Sequence, residues 1–463
     1  MMAERKVRIH TFGCQMNVYD SEHMLYNLAP LGFRSTDSDN DADLIIINTC
    51  SVREKAAAKV FSLLGRLKRK KRARPGLMLA VAGCVAQQEQ EALARRVPYV
   101  DIVLGPDQVP SIAELVEQAQ RTKSQVVATR FLNDPEALFA RGAAIVGDRV
   151  SAFVTVMKGC NQFCSYCIVP YTRGREVSKP IEAVEGEIRA LVDSGVREIF
   201  LLGQNVNRYG MEREGSPRFA ELLRRVSAID GVLRIRFVTS HPADCTDDLV
   251  DCFGQLPNLA PFFHLPLQSG SDSVLARMNR RYDLAHYRGR IERLRSICPD
   301  VHVSTDLIVG FPGETGAEFD DTMRAAEEIG FGSAFSFKYS PRPGTKAASL
   351  ADDVPEDVKA ERLEKLQSVL YDGMARVMHA HVGRIEPVLV EGRAVRSTSP
   401  RQAMGRTGTN YIVNFDVPGT IEEWRGRMVP VRIVMAYAHC LVGEPLLQEV
   451  DDARRDEGCR AGS

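Results

Sequence analysis

Residues 159–180 read GCNQFCSYCIVPYTRGREVSKP and come just after Phe153–Met157, an apolar stretch with the pattern of a strand. Cys160, Cys164 and Cys167 have C-x3-C-x2-C spacing, which allows three thiolates to turn toward one metal ion or cluster. A structural zinc site prefers four closed ligands, and no fourth Cys or His lies nearby in the sequence. Three thiolates on a 4Fe–4S cluster leave one iron open to a small molecule. The spacing favours such a cluster, with zinc or buried core thiols as the alternatives.

Strands and helices alternate from Ser151 onward, which predicts a partial (βα)6 barrel. The candidate strands are Phe153–Met157, Glu198–Leu202, Arg234–Thr239, Phe262–Pro266, His302–Ile308 and Ala334–Tyr339. The polar loops that follow them read KGCNQFC, GQNVN, TSHP, LQSGS, GFPGET and YSPRPGT. In parallel α/β folds such loops at the carboxyl ends of strands form the active-site face. We therefore expect a cofactor site on this face.

The sequence before the barrel predicts an N-terminal parallel α/β domain. Its candidate strands are Val7–Phe12, Leu44–Asn48, Leu77–Ala82 and Ile102–Leu104, and its candidate helices are Asp20–Leu31, Lys55–Leu67 and about Gln87 to Arg96. The segment from about Arg121 to Asp148 lacks clear periodicity and is interpreted as a connector.

Three further cysteines each follow one of these strands: Cys14 in TFGCQMN, Cys50 in NTCSVRE and Cys84 in AGCVAQ. Strands of a parallel sheet end on one edge, so three distant cysteines can meet there. Helix N-termini at that edge favour bound thiolates. The alternative is three separate core cysteines, which are common singly, but the repeated position favours a second metal site.

The C-terminal part changes character after a long helical run from Pro355 to about Val382. Short segments rich in Val and Ile (PVLVEG, NYIVNF, MVPVRIV) are separated by Gly and Pro between Gly383 and about Val442. This pattern predicts a small β-barrel of OB-like size.

Composition limits the classes of protein that this chain can belong to. Its 463 residues are 44% hydrophobic and 26% charged, a globular balance for two or three domains. The formal net charge is +0, so any basic surface for nucleic acid must be local. No apolar run can cross a bilayer, so we expect a cytoplasmic protein without membrane contact. Thiols stay reduced there, so the eleven cysteines favour metal ligation over disulfides.

These segments together resemble the radical S-adenosylmethionine (SAM) methylthiotransferase family. The motifs that carry the resemblance are TFGCQMN, NTCSVREKA, GPDQVP, CNQFCSYCIVPYTRGREVS, LLGQNVNRYG and FVTSHP. The resemblance covers nearly the whole chain and implies three domains: an N-terminal methylthiotransferase domain at 5–122, a radical SAM core at 146–380 and a TRAM domain, a small RNA-binding β-barrel, at 383–446.

The resemblance also implies two 4Fe–4S clusters and two SAM molecules per turnover. Cys160, Cys164 and Cys167 are then the ligands of the radical SAM cluster, whose free iron chelates SAM before one electron cleaves it to a 5′-deoxyadenosyl radical. Cys14, Cys50 and Cys84 are the ligands of an auxiliary cluster that carries the sulfur to be transferred.

Implied SAM contacts lie in the loops after the strands. They are Tyr166, which precedes the third cysteine, then Gly203, Gln204, Asn205, Ser240, Gln268 and Asp306. Gly310, Pro312 and Gly313 are expected to let the backbone approach the adenosine. Each is also a common turn residue, so a purely structural role stays open. For His241 and His264 the structural role is the favoured interpretation.

Two basic regions are candidates for RNA contact. Arg66–Arg74 reads RLKRKKRAR, a run that can steer a phosphate backbone but more commonly marks a solvated helix end. In the segment that resembles a TRAM domain the candidates are Arg384, Arg393, Arg396, Arg401, Arg406 and Tyr411.

The resemblance is greatest to members that add a methylthio group to carbon 2 of N6-isopentenyladenosine beside the tRNA anticodon. The implied partners are a tRNA anticodon stem-loop, a flavodoxin- or ferredoxin-type electron donor and a sulfur-supplying system, with a monomeric enzyme expected. Alternatives are a methylthiotransferase acting on a ribosomal-protein aspartate or on threonylcarbamoyl-adenosine in tRNA. A third is a non-catalytic metal-containing RNA-binding protein.

Overall fold

The structure is a computed structural model that describes residues 4–51, 54–139, 149–395, 397 and 399–446, without the side chains of 54–58. The N-terminal domain is a parallel sheet in the order β2-β1-β3-β4-β5-β6. Its strands are β1 Arg5–Thr11, β2 Phe33–Ser35, β3 Leu44–Thr49, β4 Met78–Gly83, β5 Ile102–Leu104 and β6 Val126–Ala128. Its helices are α1 Gln15–Leu28, α2 Glu54–Ala73, α3 Cys84–Arg96 and α4 Ile112–Thr122. Strands β3 and β4 are buried along their whole length, because helices cover both faces of the sheet.

The prediction of a featureless connector from about Arg121 to Asp148 was wrong in its first half. Strand β6 pairs with β5 in parallel register, and a short helix, α5 (Pro135–Phe139), follows it. Three-residue strands such as β2 and β6 are too short to show a period of two in the sequence. Their pairing partners define them instead. The last residues of that segment, 140–148, lie outside the described residues.

The central domain is the partial barrel that the sequence predicts. Its strands form two parallel sheets that an isolated bridge between Ile235 and Leu259 joins. The strands are β7 Ser151–Thr155, β10 Glu198–Leu202, β11 Arg234–Phe237, β12 Phe262–His264, β13 His302–Val309 and β14 Ser333–Lys338, with a hairpin of β8 Met157–Lys158 and β9 Val177–Ser178. The helices are α6 Val169–Thr172, α7 Ile181–Asp193, α8 Phe219–Ser227, α9 Asp247–Gln255, α10 Asp272–Arg277, α11 Leu284–Ile297, α12 Gly316–Ile329 and α13 Glu356–His379.

The C-terminal domain is a small closed β-barrel, as predicted. Its strands are β15 Ile385–Arg393, β16 Gln402–Arg406, β17 Ile412–Asp416, β18 Met428–Ala436 and β19 Leu441–Pro445, closed in the order β15-β16-β17-β19-β18. Alternate residues of β15, β17 and β18 point inward and form its apolar core. This alternation is the pattern that the Val- and Ile-rich segments show in the sequence.

Two buried arginines join this small barrel to the central domain. Arg236 Nε donates to Glu198 Oε1 at 2.8 Å, and its Nη1 donates to the carbonyl of Gly408 at 2.6 Å. Arg234 Nη1 donates to the carbonyl of Arg406 at 2.8 Å. Glu198 and Arg234 are the first residues of β10 and β11. The small barrel therefore sits at the amino ends of these strands, opposite the loops that were predicted to hold cofactors.

A second polar interface joins the N-terminal domain to the central domain. Lys179 forms an ion pair with Glu187, and Tyr19 Oη donates to the same carboxylate at 3.4 Å. Burial alone would raise the pKa of Glu187. Lys179 and His23 lower it by more than burial raises it, so the pKa lies below its usual range. Among the residues that the structure describes, no helix has the length and apolarity needed to span a membrane.

Candidate active site

The first candidate site lies where three neighbouring strands of the N-terminal sheet end. Cys14 precedes α1, Cys50 directly follows β3, and Cys84 is the first residue of α3 directly after β4. Strands β1, β3 and β4 are adjacent in the sheet. The three cysteines, called the auxiliary trio below, therefore meet at one edge, as the sequence pattern suggests.

Two glycines permit the close approach of the loops that carry the auxiliary trio. A Cβ on Gly13 would lie 2.5 Å from Cys50 Cβ, and a Cβ on Gly83 would lie 2.4 Å from the carbonyl oxygen of Thr49. Both glycines have positive φ angles, 130° and 90°, which other residues rarely adopt. Asn17 Nδ2 ties the first loop to the second by donating to the carbonyl of Thr49 at 2.9 Å.

The auxiliary trio lies in a positive field. A hydrogen bond from Cys50 and the nearby Arg173 lower the pKa of the Cys14 thiol to about 6, against the opposing effect of burial. The Arg173 guanidinium is buried, its positive charge interacts with Cys84 and Cys14, and it forms a 2.8 Å ion pair with Asp20. Thiolates are the form that binds metal, so this environment favours metal ligation.

The second candidate site is formed by Cys160, Cys164 and Cys167, called the core trio below, in the loop after β8. Gly159 has a φ of 75°, and a Cβ there would lie 1.9 Å from the carbonyl oxygen of Arg175. Burial, together with the neighbouring thiols of the trio, raises the pKa of Cys160 and of Cys167 to about 12. Arg280 Nη1 donates to Cys164 Sγ at 3.3 Å.

Both trios fit a cubane cluster better than a single ion. In the core trio, the raised pKa values of Cys160 and Cys167 mean that a metal centre is needed to ionise these thiols, and ligation supplies the required positive charge. Within the described residues, no three His, Cys, Asp or Glu side chains converge closely enough to hold one metal ion. A mononuclear zinc site requires such convergence. The cysteines of a cubane bind three different irons, so they stand further apart.

Buried polar groups without partners lie in the loops after β10 and β11, on the same face of the barrel as the core trio. Among the described atoms, Gln204 Nε2, Asn205 Oδ1 and Ser240 Oγ are buried and form no hydrogen bond within the protein. Gln204 Oε1 accepts from the backbone N–H of Gly159, and Asn205 Nδ2 donates to Asp244 Oδ2 at 2.8 Å. Buried polar atoms usually have partners, so these atoms indicate a polar ligand next to the trio.

The other predicted SAM contacts lie on the same face of the barrel. Gln268 has a positive φ of 72° and its N–H donates to the carbonyl of Asp306 at 2.9 Å. The Asp306 carboxylate is half-buried and 3.7 Å from His264 Nε2. Tyr166 and Ile308 both pack against an apolar cluster that includes Phe311. A Cβ on Gly203 would lie 2.7 Å from Met157 Cγ. The absence of a side chain at Gly203 therefore leaves room for the buried side chain of Met157.

The glycines of GFPGET and His241 are explained by contacts within the protein. A Cβ on Gly310 would lie 2.3 Å from Lys359 Cγ, so its missing side chain makes room for α13. Gly313, which follows Pro312, has a φ of 75° and forms part of the turn. Burial and then Arg280 and Arg208 lower the pKa of His241 to about 2, which keeps its ring neutral. Its Nδ1 accepts from the N–H of Ala243 at 3.2 Å.

The predicted RNA contacts separate into buried and exposed groups. Tyr411 is buried at the domain junction, where its Oη donates to the carbonyl of Gly332 at 3.1 Å. It therefore belongs to the junction and is not part of an RNA-facing surface. Arg384 and Arg406 form ion pairs with Asp300 and Glu391 at 2.9 Å. Arg393 and Arg401 are exposed, and Arg396 lies outside the described residues.

The basic run Arg66–Arg74 occupies the last turns of α2, at the opposite end of that helix from Cys50. Lys71 within it forms an ion pair with Asp101 at 2.6 Å, and Lys70 Nζ donates to Asn40 at 2.6 Å. The cations that remain exposed are Arg66, Lys68, Arg69 and Arg72.

Three charged residues at the two trios are absent from the sequence predictions. They are Arg173, Asp244 and Arg280, all of which are buried. Arg173 lies inside the quoted cysteine motif, so its position was visible but its contact with the N-terminal domain was not. Arg173 also lines a cleft of about 580 Å³ at the domain junction, together with Met16, Tyr19, Asp20 and Lys158.

Comparison with known families matches three parts of the chain. Residues 6–105 match the Uncharacterized protein family UPF0004, residues 154–326 match the Radical SAM superfamily, and residues 380–446 match the TRAM domain. These three matches follow the N-terminal sheet, the partial barrel and the small closed barrel in the order of the fold.

Solved structures resemble this fold at low sequence identity. The radical S-adenosylmethionine methyltransferase TsrM from Kitasatospora setae has a TM-score of 0.58 and 13% identity, and the match covers 74% of this chain and 77% of that chain. The cobalamin-dependent S-adenosylmethionine radical enzyme OxsB has a TM-score of 0.51 and 10% identity, over 79% of this chain and 56% of that one. At such identity the likeness concerns the fold alone.

Curated relatives are much closer in sequence. The tRNA-2-methylthio-N(6)-dimethylallyladenosine synthase from Burkholderia cenocepacia is 46% identical over 97% of this chain and 98% of its own length. The protein with this name from Syntrophotalea carbinolica is 46% identical over 94% of this chain and 98% of its own. The chain therefore belongs to the radical SAM methylthiotransferase family, and it is most like the tRNA-2-methylthio-N6-dimethylallyladenosine synthases in that family.

Proposed function

We propose that this protein transfers a methylthio group to carbon 2 of N6-isopentenyladenosine beside the anticodon of tRNA. The observation that carries the proposal is the 46% identity with synthases of that product over nearly the full length of both chains. The two cysteine trios supply the metal-binding groups that this chemistry requires. A carbon-bound hydrogen on an aromatic ring is too weakly acidic for removal by a general base, so a radical route fits the substrate.

We assign a 4Fe–4S cluster to each trio. Cys160, Cys164 and Cys167 are the ligands of the radical SAM cluster, and Cys14, Cys50 and Cys84 are those of the auxiliary cluster. When bound, the core cluster with SAM supplies a 5′-deoxyadenosyl radical, and the auxiliary cluster supplies the sulfur. The protein contributes orientation and shielding from water. The buried loop around Gly159 and the buried edge of the N-terminal sheet provide this shielding.

The residues around the core trio orient SAM. Gln204 Nε2, Asn205 Oδ1 and Ser240 Oγ offer one donor, one acceptor and one hydroxyl to a polar ligand. Gly203, Gln268 and Asp306 complete the carboxyl-end face, and Tyr166 closes its apolar side. Asp244 holds Asn205 in place through the 2.8 Å hydrogen bond. The residues of the chain thus bind and orient SAM.

We further infer a tRNA anticodon stem-loop as substrate, with two SAM molecules consumed per turnover. The target base must leave its stack to reach a buried site, and an anticodon-loop nucleotide does so at little cost. Arg393 and Arg401 on the small barrel are the exposed candidates for the RNA backbone. A flavodoxin- or ferredoxin-type electron donor and a sulfur-supplying system complete the reaction, and the enzyme acts as a monomer.

Nucleoside analysis of tRNA tests this function most simply. In a strain that lacks the protein, 2-methylthio-N6-isopentenyladenosine should disappear, and its precursor N6-isopentenyladenosine should accumulate. Unchanged levels of that nucleoside would contradict the proposal. Loss of methylthiolated threonylcarbamoyl-adenosine, or of the methylthio group on a ribosomal-protein aspartate, would instead identify one of the alternative substrates.

A further inference from the structure

One buried arginine carries a positive charge toward each cysteine trio. Arg280, in the loop between α10 and α11, is 5% exposed and donates to Cys164 Sγ at 3.3 Å. Its Nη2 donates to the carbonyl of Pro266 at 3.1 Å, and its Nε donates to Tyr282 Oη at 3.1 Å. Within the described residues no carboxylate forms an ion pair with Arg280. Its full positive charge therefore lies against the core trio.

Arg173 holds the matching position at the auxiliary trio, with one difference. It is also 5% exposed, and its positive charge interacts with Cys84 and Cys14 of that trio. Unlike Arg280, it has a carboxylate partner, because Asp20 forms a 2.8 Å ion pair with it. Asp20 is itself buried, and burial raises its pKa. The auxiliary trio therefore faces a compensated charge, whereas the core trio faces an uncompensated one.

A buried charge next to a cluster changes its reduction potential. Reduction adds one negative charge to the cluster, and a nearby fixed cation stabilises that charge. The net charge around a cluster and the hydrogen bonds to its sulfurs are known to set its potential. The effect is large where water is excluded, since charge interactions are strong at low dielectric. An exposed arginine at a similar distance is screened by solvent and salt.

We propose that Arg280 and Arg173 are positioning residues that set the reduction potentials of the two clusters separately. Arg280 raises the potential of the core cluster and so favours the reduced form that cleaves SAM. The Arg173–Asp20 pair limits the corresponding rise at the auxiliary cluster, so an electron entering the protein goes preferentially to the core cluster. This inference rests on the proposed function, because it requires a cluster at each trio.

The test is a redox titration of each cluster, followed by electron paramagnetic resonance, in the full-length protein. Replacing the auxiliary trio by alanine isolates the core cluster, and replacing the core trio isolates the auxiliary cluster. In the protein that lacks the auxiliary trio, Arg280→Met should lower the midpoint potential of the core cluster. Arg280→Lys keeps the positive charge and should lower that potential much less. Arg281→Met is the matched control, since Arg281 is the next residue and is exposed. It should leave the potential unchanged.

The auxiliary cluster offers two variants with opposite signs. Arg173→Met should lower its midpoint potential, and Asp20→Asn should raise it, because the second variant removes the negative partner. Arg175→Met is the control, since Arg175 lies in the same loop and is exposed. Asp20→Asn keeps both arginines and the three cysteines of the auxiliary trio. It therefore decides the question even if the arginine variants bind no iron.

The outcomes separate this inference from the proposed function. Normal iron content with an unchanged potential in Arg280→Met, or in Asp20→Asn, would overturn the inference and leave the proposed function intact. Absence of iron–sulfur signals from the unmodified trios, after reconstitution with iron and sulfide, would overturn the proposed function itself. Shifts of the expected sign in both backgrounds, with unchanged controls, would establish the roles of the two arginines.

Discussion

Arg173 forms a 2.8 Å ion pair with Asp20, and so one side chain from the cysteine-rich loop of the barrel reaches the N-terminal domain. The charge of the same guanidinium interacts with Cys84 of the auxiliary trio, while its own chain segment follows Cys167 of the core trio. Arg173 therefore links the loop that carries the core trio to the domain that carries the auxiliary trio. This connection is what a reaction that uses both sites on one substrate requires, since the two sites must hold a fixed relative position.

The loop of the core trio should not tolerate a side chain at Gly159. In Gly159→Ala the new Cβ would meet the carbonyl oxygen of Arg175, so the loop must shift and the three thiols lose their common orientation. We expect loss of the core cluster, measured as iron content and as the absorbance of the reconstituted protein. Gly186→Ala in α7 is the control, because no atom lies within 4 Å of its Cβ position. It should retain iron and gain about 0.5–1 kcal/mol of stability.

Asp244 should contribute to SAM affinity although it was not predicted as a contact. Its carboxylate accepts from Asn205 Nδ2 at 2.8 Å and from Arg208 Nη1 at 2.9 Å. Asp244→Asn weakens both hydrogen bonds, and hydrogen bonds to charged groups contribute about 1.5–3 kcal/mol each. We expect SAM to bind roughly tenfold more weakly, as calorimetry on the reconstituted protein would show. Asp247→Asn, at an exposed position on α9, should bind SAM normally; equal affinities in both variants would contradict the assignment.

The junction with the small barrel should depend on Arg236. Removing a partner from a buried ion pair leaves an uncompensated charge and costs about 3–5 kcal/mol, so Arg236→Met should lower the free energy of unfolding by about 3 kcal/mol. Urea denaturation measures this change. Arg384→Met breaks an ion pair at the same junction whose partners are 52% and 75% exposed, and it should cost under about 1 kcal/mol. Equal losses in the two variants would contradict the role of burial.

His302 should make this junction sensitive to acid. Burial, and after it the nearby His381 and Arg236, lower the pKa of His302 to about 3. Below pH 6.5 the unfolded chain takes up a proton at this residue and the folded protein does not. Stability is therefore complete above about pH 6.5 and declines as the pH falls toward 3. Denaturation at pH 7 and pH 5 measures the loss, which should be smaller in His302→Gln. An equal loss in that variant would show that other groups cause it.

Local patterns predicted much of the fold. The strands Glu198–Leu202 and Ile102–Leu104 match the structure at both ends, because each is a buried run bounded by turn residues. The small barrel was visible because its strands alternate inward and outward. The core trio was predicted from its C-x3-C-x2-C spacing. The auxiliary trio was predicted because each of its cysteines follows a strand, and parallel strands end on one edge.

What the sequence pattern missed depends on pairing between distant residues. Strand β6 exists because it pairs with β5, and its three residues carry no periodic signal. The contact of Arg280 with Cys164 joins positions 116 residues apart, and the chain shows only two adjacent arginines at that point. Tyr411 was a candidate RNA contact because it lies in the segment that resembles a TRAM domain, yet the domain junction buries it. Burial of this kind depends on domain docking, which leaves no local pattern.

The central claim is that two separate clusters, one on each trio, act on one substrate. Iron content, SAM cleavage and product formation, measured together on Cys50→Ala and Cys164→Ala beside the unmodified protein, test it most directly. The unmodified protein should bind about eight irons per chain, cleave SAM and form methylthio product. Cys50→Ala should keep SAM cleavage and form no methylthio product, whereas Cys164→Ala should lose both. Full product formation by Cys50→Ala, or unchanged SAM cleavage by Cys164→Ala, would contradict the account.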